Sequence, residues 1–114
     1  MTECKVGDIV SVEFPFSDLQ GQKRCPGLVL WADTSDVLLP RLTTHPPRDV
    51  NDIALRYWAE TGLPKASTVR LTKLATVDRR LIHHRIGQLQ AGDAQAVASA
   101  LEGCFRTIVA TLRQ

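Results

Sequence analysis

The chain has 114 residues and a formal net charge of +2 at pH 7, with 44% hydrophobic and 23% charged residues. These values fit a single globular domain over residues 1–114 and exclude a disordered or collagen-like chain. No apolar run is long enough for a membrane span and the N-terminus lacks the apolar stretch of a signal peptide, so we expect a cytoplasmic protein without membrane contact. The net charge is too small to indicate nucleic-acid binding by itself.

The first half of the chain has the pattern of short β-strands. Hydrophobic residues alternate with other residues over 10–16, which is typical of a half-buried strand, and turn-forming residues follow over 17–22. Residues 28–31 form an apolar run that indicates a strand buried on both faces, and a turn over 33–36 follows it. The next strand is predicted over 37–44 and ends before two prolines, which cannot donate to a central ladder.

The second half is less regular until its end. Short strands are predicted over 49–55 and 67–71, with a loop around Gly62 between them, and residues 81–89 fit either a strand or a helical turn. A helical stripe then begins after Asp93, the predicted N-cap. The stripe consists of Ala94, Val97, Ala98, Leu101, Cys104, Phe105, Ile108 and Leu112. Short strands followed by one amphipathic helix predict a small barrel or strongly curved sheet with a helix packed on it.

The three cysteines, Cys4, Cys25 and Cys104, are widely spaced. Because no CxxC pair occurs, the sequence indicates neither a structural zinc site nor a disulfide framework. The pattern favours reduced cysteines, two of them packed as small apolar residues.

Several segments, taken in order, resemble one protein family. The opening segments are Gly7-Asp8-Ile9-Val10, Phe14-Pro15-Phe16-Ser17-Asp18-Leu19-Gln20-Gly21 and Pro26-Gly27-Leu28-Val29-Leu30. The later segments are Gly62-Leu63-Pro64-Lys65, Val69-Arg70-Leu71-Thr72-Lys73-Leu74-Ala75-Thr76 and Arg85-Ile86-Gly87-Gln88-Leu89. Together they resemble the MazF/PemK toxins of type II toxin–antitoxin systems, and the later segments are similar to the PemK-type branch.

The resemblance implies a mainly β fold with α, an SH3-like small barrel with a C-terminal amphipathic helix, usually as a homodimer. It also implies an mRNA interferase, a metal-independent endoribonuclease that cleaves single-stranded RNA without a cofactor and is inhibited by a cognate antitoxin. Such cleavage uses the RNA 2′-hydroxyl as nucleophile, so the site needs a base, an acid and donors for the developing charge.

The resemblance assigns roles to positions that this chain keeps in part. A Thr or Ser that ends the third strand serves in the family's site, which here is Thr43, followed by Thr44. Some members add an Arg-x-Asp pair, which here falls on Arg70 and Thr72, so the arginine is kept and the acid is absent. The alternative for each is structural: hydroxyls that cap a turn, and an exposed strand arginine.

The largest departure from the family pattern lies before Pro26. The family has an arginine directly before this proline, whereas here Cys25 occupies that position and Arg24 precedes it. Neighbouring side chains on a strand point to opposite faces, so Arg24 replaces the family arginine only through a bulge or an irregular strand end. A thiol lacks the cationic fork that phosphate recognition favours.

Two further residues near the presumed groove are candidates for binding substrate. His45 follows the two threonines, and an imidazole is a natural acid–base group near neutral pH. Arg41 adds positive charge that would contact RNA phosphates, although such a charge is more commonly a solvated surface group. The neighbouring His83 and His84 do not indicate a metal site, because adjacent strand residues face opposite ways.

We therefore predict an endoribonuclease toxin with an RNA substrate, an antitoxin partner, no metal and no cofactor. Its catalytic candidates are Thr43, Arg70 and Arg24, and its substrate-binding candidates are Thr44, His45 and Arg41. The alternative is a catalytically silent member that binds an antitoxin or RNA without cleavage, and an SH3-like interaction domain is a third interpretation. Leu38, Leu39 and the C-terminal helix are predicted to supply the homodimer interface.

Overall fold

A computed structural model of the chain describes residues 3–14 and 24–114. This part contains seven strands, one long helix and two short 3₁₀ helices. The strands are β1 (Asp8–Glu13), β2 (Arg24–Leu28), β3 (Trp31–Ala32), β4 (Asp36–Thr43), β5 (Asp52–Ala54), β6 (Thr68–Asp78) and β7 (Ile82–Gln88). The long helix α1 spans Ala91–Leu112, and the 3₁₀ helices span Trp58–Thr61 and Arg79–Leu81.

All strand pairs are antiparallel and belong to one curled sheet. Six strands follow the order β5-β6-β4-β2-β1-β7, and the short β3 pairs with β4. The end strands β5 and β7 do not pair in the described part of the chain. Instead, the 3₁₀ helix Trp58–Thr61 that follows β5 packs against β7. The predicted mainly β fold with a small-barrel-like sheet and a C-terminal helix is therefore confirmed, although the barrel is not closed by strand pairing.

Two glycines permit the contact between the ends of the sheet. A Cβ at Gly87 would lie only 1.6 Å from the carbonyl oxygen of Thr61, so no side chain fits at this position. Gly62, which ends the 3₁₀ helix, has a φ of +95°, and its Cβ would approach the Ile86 carbonyl oxygen to 2.7 Å. Both glycines lie in segments that carry the family resemblance, and the close backbone approach explains why those segments need them.

The core consists of two hydrophobic clusters, and β1 contributes to both. Val10 belongs to the first cluster and Ile9 to the second, because successive side chains of a strand point to opposite faces. The strand predicted over 10–16 as half-buried is therefore buried on both faces, and Ser11 is only 8% exposed. Phe16 and the turn predicted over 17–22 lie outside the described residues.

Most of the remaining strand predictions are confirmed, and one is wrong. The strand over 37–44 is confirmed as β4, residues 81–89 contain β7, and the strand predicted at 67–71 extends to Asp78 in β6. The prediction of one strand buried on both faces over 28–31 is wrong. β2 ends at Leu28 and Trp31 begins β3 with a 51% exposed side chain, because the chain turns between the two.

The helix α1 is confirmed, but its predicted N-cap is wrong. It begins at Ala91, and Asp93 lies in its first turn. The Asp93 carboxylate accepts hydrogen bonds from the backbone N–H groups of Arg56 and Tyr57, each at 2.9 Å. This aspartate therefore fastens the helix to the loop after β5, and a long-range contact of this kind is not visible in local sequence.

Only the first half of α1 packs on the sheet. Val97 is buried, whereas the apolar side chains toward the C-terminus are between 41% and 78% exposed: Phe105, Ile108, Val109 and Leu112. Leu39 was predicted at a homodimer interface, but it is fully buried in the first core cluster and so is not accessible to a partner.

Candidate active site

A cavity of about 410 Å³ lies where β2, β4 and β6 meet. All six residues predicted for the site line it: Arg24, Arg41, Thr43, Thr44, His45 and Arg70. Cys25, Pro26, Leu42, Ser67 and Lys73 complete the lining. The fold thus brings together residues that are up to 49 positions apart in the chain, between 24 and 73.

Strand register places two arginines side by side at this cavity. Arg41 of β4 pairs directly with Arg70 of β6, and on its other side Arg70 pairs with Asp52 of β5. Directly opposite residues of an antiparallel pair share a face, with Cβ atoms about 5 Å apart. Asp52, Arg70 and Arg41 therefore form a continuous line across three strands, which we call the cross-strand row.

A bulge in β6 brings a further cation to the cavity. Pro40 pairs with Leu74 whereas Arg41 pairs with Arg70, so residues 71–73 have no counterpart on β4. The backbone N–H of Leu71 donates instead to the carbonyl oxygen of Asn51, at 3.0 Å. Bulges of this kind re-aim side chains next to functional sites. Here the bulge adds Lys73 to the cavity wall beside Arg70.

Asp52 forms the anionic end of the cross-strand row. Its side chain is fully buried, and Oδ2 accepts hydrogen bonds from the backbone N–H and the Nε of Arg48, at 2.9 and 3.0 Å. The same oxygen lies 3.9 Å from Nε of Arg70. The hydrogen bond from the Arg48 side chain lowers the pKa of Asp52 below its usual 3.8, so the carboxylate is ionised at neutral pH.

The two arginines of the row have unused hydrogen-bond donors. Nε of Arg41 and Nε of Arg70 are both buried, and neither has a hydrogen-bond partner within residues 3–14 and 24–114. An unpaired buried donor costs about 1–3 kcal/mol, and two like charges directly opposite each other add repulsion. An anion placed between the guanidinium groups would relieve both costs. The geometry therefore favours phosphate binding at this point.

The end of β4 adds polar groups to the same cavity. The Thr43 hydroxyl oxygen accepts a hydrogen bond from the backbone N–H of His45 at 3.3 Å, so it shapes the turn after the strand. The hydroxyl proton remains available to a ligand because only the oxygen is used in this contact. Thr44 and His45 are exposed. The capping role expected as the alternative for Thr43 is therefore present, and it is compatible with ligand binding.

Cys25, where the chain departs from the family pattern, lies on β2 and lines the cavity. Cys25 is only 8% exposed and packs in the first core cluster with Val12 and Phe14. Arg24 is exposed at the first residue of β2 and pairs with Glu13 of β1. Neighbouring strand residues face opposite ways, so Arg24 stands on the face away from Cys25 although both border the cavity.

Three residues of the site were missed by the sequence analysis. Asp52 was missed because its place beside Arg70 depends on the register of β5, which a single sequence does not show. Ser67 is buried next to the cavity and donates to the carbonyl oxygen of Lys65 at 2.9 Å. Lys73 had a visible signal, because it follows Arg70 by three positions in a segment of the family resemblance, but its direction depends on the bulge.

Other chemistry-bearing side chains of the described part are arranged differently. No three His, Cys, Asp or Glu residues among 3–14 and 24–114 are grouped as metal ligands, and the three cysteines are free. Nε2 of His83 lies 3.1 Å from a carboxylate oxygen of Glu13. No helix in those ranges has the length and apolar character needed to cross a membrane.

The fold is similar to solved structures of a mycobacterial toxin and of mycobacterial endoribonucleases. Mycobacterium tuberculosis toxin MazF-mt6 aligns with a TM-score of 0.72 and 21% identity, over 87% of this chain and 96% of that one. An endoribonuclease from Mycobacterial species, solved in complex with its cognate antitoxin, aligns with a TM-score of 0.74 and 16% identity, over 90% and 95% of the two chains. A further endoribonuclease from Mycobacterial species gives 0.69 and 17%, over 91% and 93%. The TM-scores show a shared fold, and at identities this low they show no more than that.

Sequence comparison shows the family. No curated protein sequence matches the chain. The family model of the PemK-like, MazF-like toxins of type II toxin–antitoxin systems matches residues 5–105, a range that contains every strand of the sheet and the whole cavity lining. The chain therefore belongs to the PemK-like, MazF-like toxin family of type II toxin–antitoxin systems.

Proposed function

We propose that this chain is the toxin of a toxin–antitoxin pair and acts as a metal-independent endoribonuclease on single-stranded RNA. The observation that supports this most directly is the pair Arg41 and Arg70, whose buried Nε donors have no hydrogen-bond partner in the described ranges and which line an open cavity. Such a pair fits a phosphodiester. Two of the structures with this fold are endoribonucleases, which agrees with the proposal.

The proposed reaction is an internal transfer at phosphorus. The RNA 2′-oxygen forms a bond to the adjacent phosphorus, and the bond to the 5′-oxygen breaks, leaving a cyclic phosphate and a 5′-hydroxyl. Negative charge builds on the non-bridging oxygens as the fifth bond forms. Arg70 donates to these oxygens and Thr43 adds its hydroxyl. One donor of this kind is worth about 3 kcal/mol, or about a hundredfold in rate.

His45 is the group at the cavity best suited to move protons. His45 is exposed and lines the cavity with Thr43 and Thr44 at the end of β4. In this role it takes the proton of the 2′-hydroxyl or returns one to the leaving 5′-oxygen. Arg24 and Thr44 contact the flanking phosphates, where they contribute affinity that falls with salt.

A cleavage assay without divalent ions tests the proposal. We expect the purified protein to cut single-stranded RNA in EDTA and to leave a 5′-hydroxyl that polynucleotide kinase labels without prior phosphatase treatment. Thr43→Val removes only the hydroxyl and should lower the rate at least about tenfold, whereas Thr111→Val, on the exposed end of α1, should cleave like the parent. Activity that depends on an added divalent ion would overturn the metal-free reaction.

The alternative function is a silent member that binds without cutting. Cys25 and Thr72 favour it, because the family's arginine and acid are missing at these two positions. A silent protein would bind RNA or its antitoxin with the same surface but leave the RNA intact in the EDTA assay. The cleavage assay therefore separates the two candidate functions directly.

We also propose a homodimer in the cytoplasm that is held inactive by its antitoxin. One relative with this fold was solved with its cognate antitoxin. Apolar side chains on the C-terminal half of α1, including Phe105, Ile108 and Leu112, are exposed and available for a second copy. Sedimentation should show a species of about twice the 12.6 kDa chain mass, and Ile108→Asp should shift it to the monomer. A parent protein that stays monomeric at micromolar concentration would contradict this.

A further inference from the structure

We propose that the cross-strand row replaces the two family residues that this chain lacks: Arg41 acts as the second phosphate-binding cation in place of the arginine missing at Cys25, and Asp52 positions Arg70 in place of the acid missing at Thr72. The proposal rests on the proposed RNA-cleaving function, because it assigns roles within the same site. It follows from strand register and hydrogen bonding, and each part has its own test.

Arg41 stands where a second cation is needed. It pairs with Arg70 on one side and with Gly27 of β2 on the other. Leu39 and Phe14 already pack against Gly27, because a Cβ there would lie 3.2 Å from each of them. Arg41 lines the cavity together with Cys25, from the strand next to the one that carries the family's arginine position.

Arg24 is less suited to this role than Arg41. It is exposed to solvent, and the residue directly opposite it on β1 is Glu13, a residue of opposite charge on the same face. The Nε of Arg41, by contrast, is buried and has no hydrogen-bond partner among the described residues. A buried donor without a partner binds an anion more strongly than a solvated one, because less water has to be displaced.

Asp52 has the position expected of a residue that holds Arg70 in place. Its buried Oδ2 lies 3.9 Å from Nε of Arg70, and its buried Oδ1 has no hydrogen-bond partner within the described ranges. The carboxylate also offsets repulsion between the two arginines of the row. Thr72, where the family has its acid, is engaged differently, since its hydroxyl accepts a hydrogen bond from Nη2 of Arg48 at 3.4 Å. The anionic group thus comes from β5 and not from position 72.

The role of Arg41 is tested by binding and cleavage together. Binding is measured by fluorescence anisotropy with an oligodeoxynucleotide, which has no 2′-hydroxyl and cannot be cut by this reaction. We expect Arg41→Ala to weaken binding about tenfold and to lower RNA cleavage about a hundredfold, with Arg41→Lys in between because it keeps charge without the fork. Arg106→Ala, a 79% exposed side chain on α1, is the matched control and should change neither. Cleavage by Arg41→Ala at the parent rate would overturn this part.

The role of Asp52 is tested by a double-mutant cycle with Arg70. If Asp52 acts through Arg70, then Asp52→Asn lowers kcat about tenfold in the parent and has no further effect in the Arg70→Ala background. A merely structural aspartate would lower activity equally in both backgrounds, and that result would overturn the assignment. Arg48→Ala removes the other partner of Asp52 and shows how much of any loss follows from stability alone. If Asp52→Asn does not fold, Asp52→Glu, which keeps the charge, enters the same cycle with the same two outcomes.

The two assays also separate this proposal from the proposed function. If the parent protein binds the oligodeoxynucleotide but cuts no RNA, and Arg41→Ala loses binding, the cleavage proposal fails, and the Asp52 assignment with it, while the phosphate-binding role of Arg41 stands. If the parent cuts RNA and the Arg41 and Asp52 variants cut it equally well, the row fails while the function stands. A parent that neither binds nor cuts overturns both.

Discussion

Asp52 and Asp93 are both fully or almost fully buried, but their surroundings differ. The Asp93 carboxylate has a backbone N–H donor for each oxygen, from Arg56 and Tyr57. The Asp52 carboxylate uses only Oδ2, leaves Oδ1 without a hydrogen bond in the described ranges, and lies beside Arg70, whose Nε has no hydrogen-bond partner there. Both oxygens of the Asp93 carboxylate are thus hydrogen-bonded, whereas the groups of the cross-strand row are not all hydrogen-bonded.

This difference separates a structural carboxylate from a functional one. A buried charge with all its hydrogen bonds made has nothing left to offer a ligand, and it stabilises the loop and helix that it joins. A buried charge among incompletely paired cations costs stability that binding of an anion can recover. Because both aspartates are buried, burial does not distinguish their roles. Whether both oxygens of the carboxylate accept hydrogen bonds does.

The largest expected effect is on stability, at Asp93. Replacing it with Ala leaves two backbone N–H groups without partners and loosens the start of α1, so we expect a loss of about 3 kcal/mol in unfolding free energy. Asp93→Asn keeps one acceptor and should lose about half as much. Urea unfolding at pH 7 measures both. RNA cleavage per folded molecule should not change, and a selective loss of cleavage would break the comparison with Asp52.

Arg70→Ala should give the opposite result. We expect cleavage to fall about a hundredfold, equivalent to about 2.7 kcal/mol in transition-state stabilisation, because a donor to the phosphate oxygens is lost. The unfolding free energy should change by less than about 1 kcal/mol, since this arginine has an unpaired donor and a like-charged neighbour. Initial rates and urea unfolding of the same preparation give both values. A large loss of stability would make Arg70 a structural residue like Asp93.

Arg24→Ala should have a smaller effect than either. Because this side chain is exposed and shares its strand face with Glu13, we expect a loss of about tenfold, mostly in KM and mostly at low salt. Measuring kcat and KM at two salt concentrations checks this. If the loss instead reaches a hundredfold in kcat, Arg24 and not Arg41 replaces the family arginine.

Local patterns were enough to predict most of the elements of this fold. The apolar residues 37–39 and the two prolines after His45 indicated β4, and the 3.6-residue period indicated α1. The single strand predicted over 28–31 failed because a turn before Trp31 is decided by pairing with β4. The N-cap at Asp93 failed because its partners Arg56 and Tyr57 are more than 30 positions away, with separations of 37 and 36 residues.

The site was predictable in part, for the same physical reason. Thr43, Arg70 and their neighbours were identified from segments that resemble the family, and the fold gathers them in one cavity. Asp52 was not identified, because its significance arises only when β5 is placed in register beside Arg70. The register between neighbouring strands and the bulge at 71–73 depend on tertiary structure, and they determine which charged side chains lie close together.

The smallest expected effect is on the pH dependence of the unfolding free energy, and it concerns Asp52. The Arg48 side chain lowers the pKa of Asp52 in the folded protein, so the unfolded chain binds this proton more readily. The stabilisation that the ionised Asp52 gives to the folded state is complete at neutral pH and is lost as pH falls below about 4. The unfolding free energy of Asp52→Asn should therefore fall less steeply than that of the parent between about pH 5 and about pH 2.

An exposed ion pair provides the matched control for this last measurement. The Arg80 side chain lowers the pKa of Asp78 to about 2, but both partners are largely exposed, with 45% and 81% of their side-chain surface accessible. Asp78→Asn should flatten the same pH range, and high salt should remove its effect because exposed charges are screened. The effect of Asp52→Asn should persist in high salt, since its carboxylate is buried. Parallel pH curves for the parent and Asp52→Asn would show that the cross-strand row does not hold an ionised carboxylate, and the contrast with Asp93 would lose its electrostatic basis.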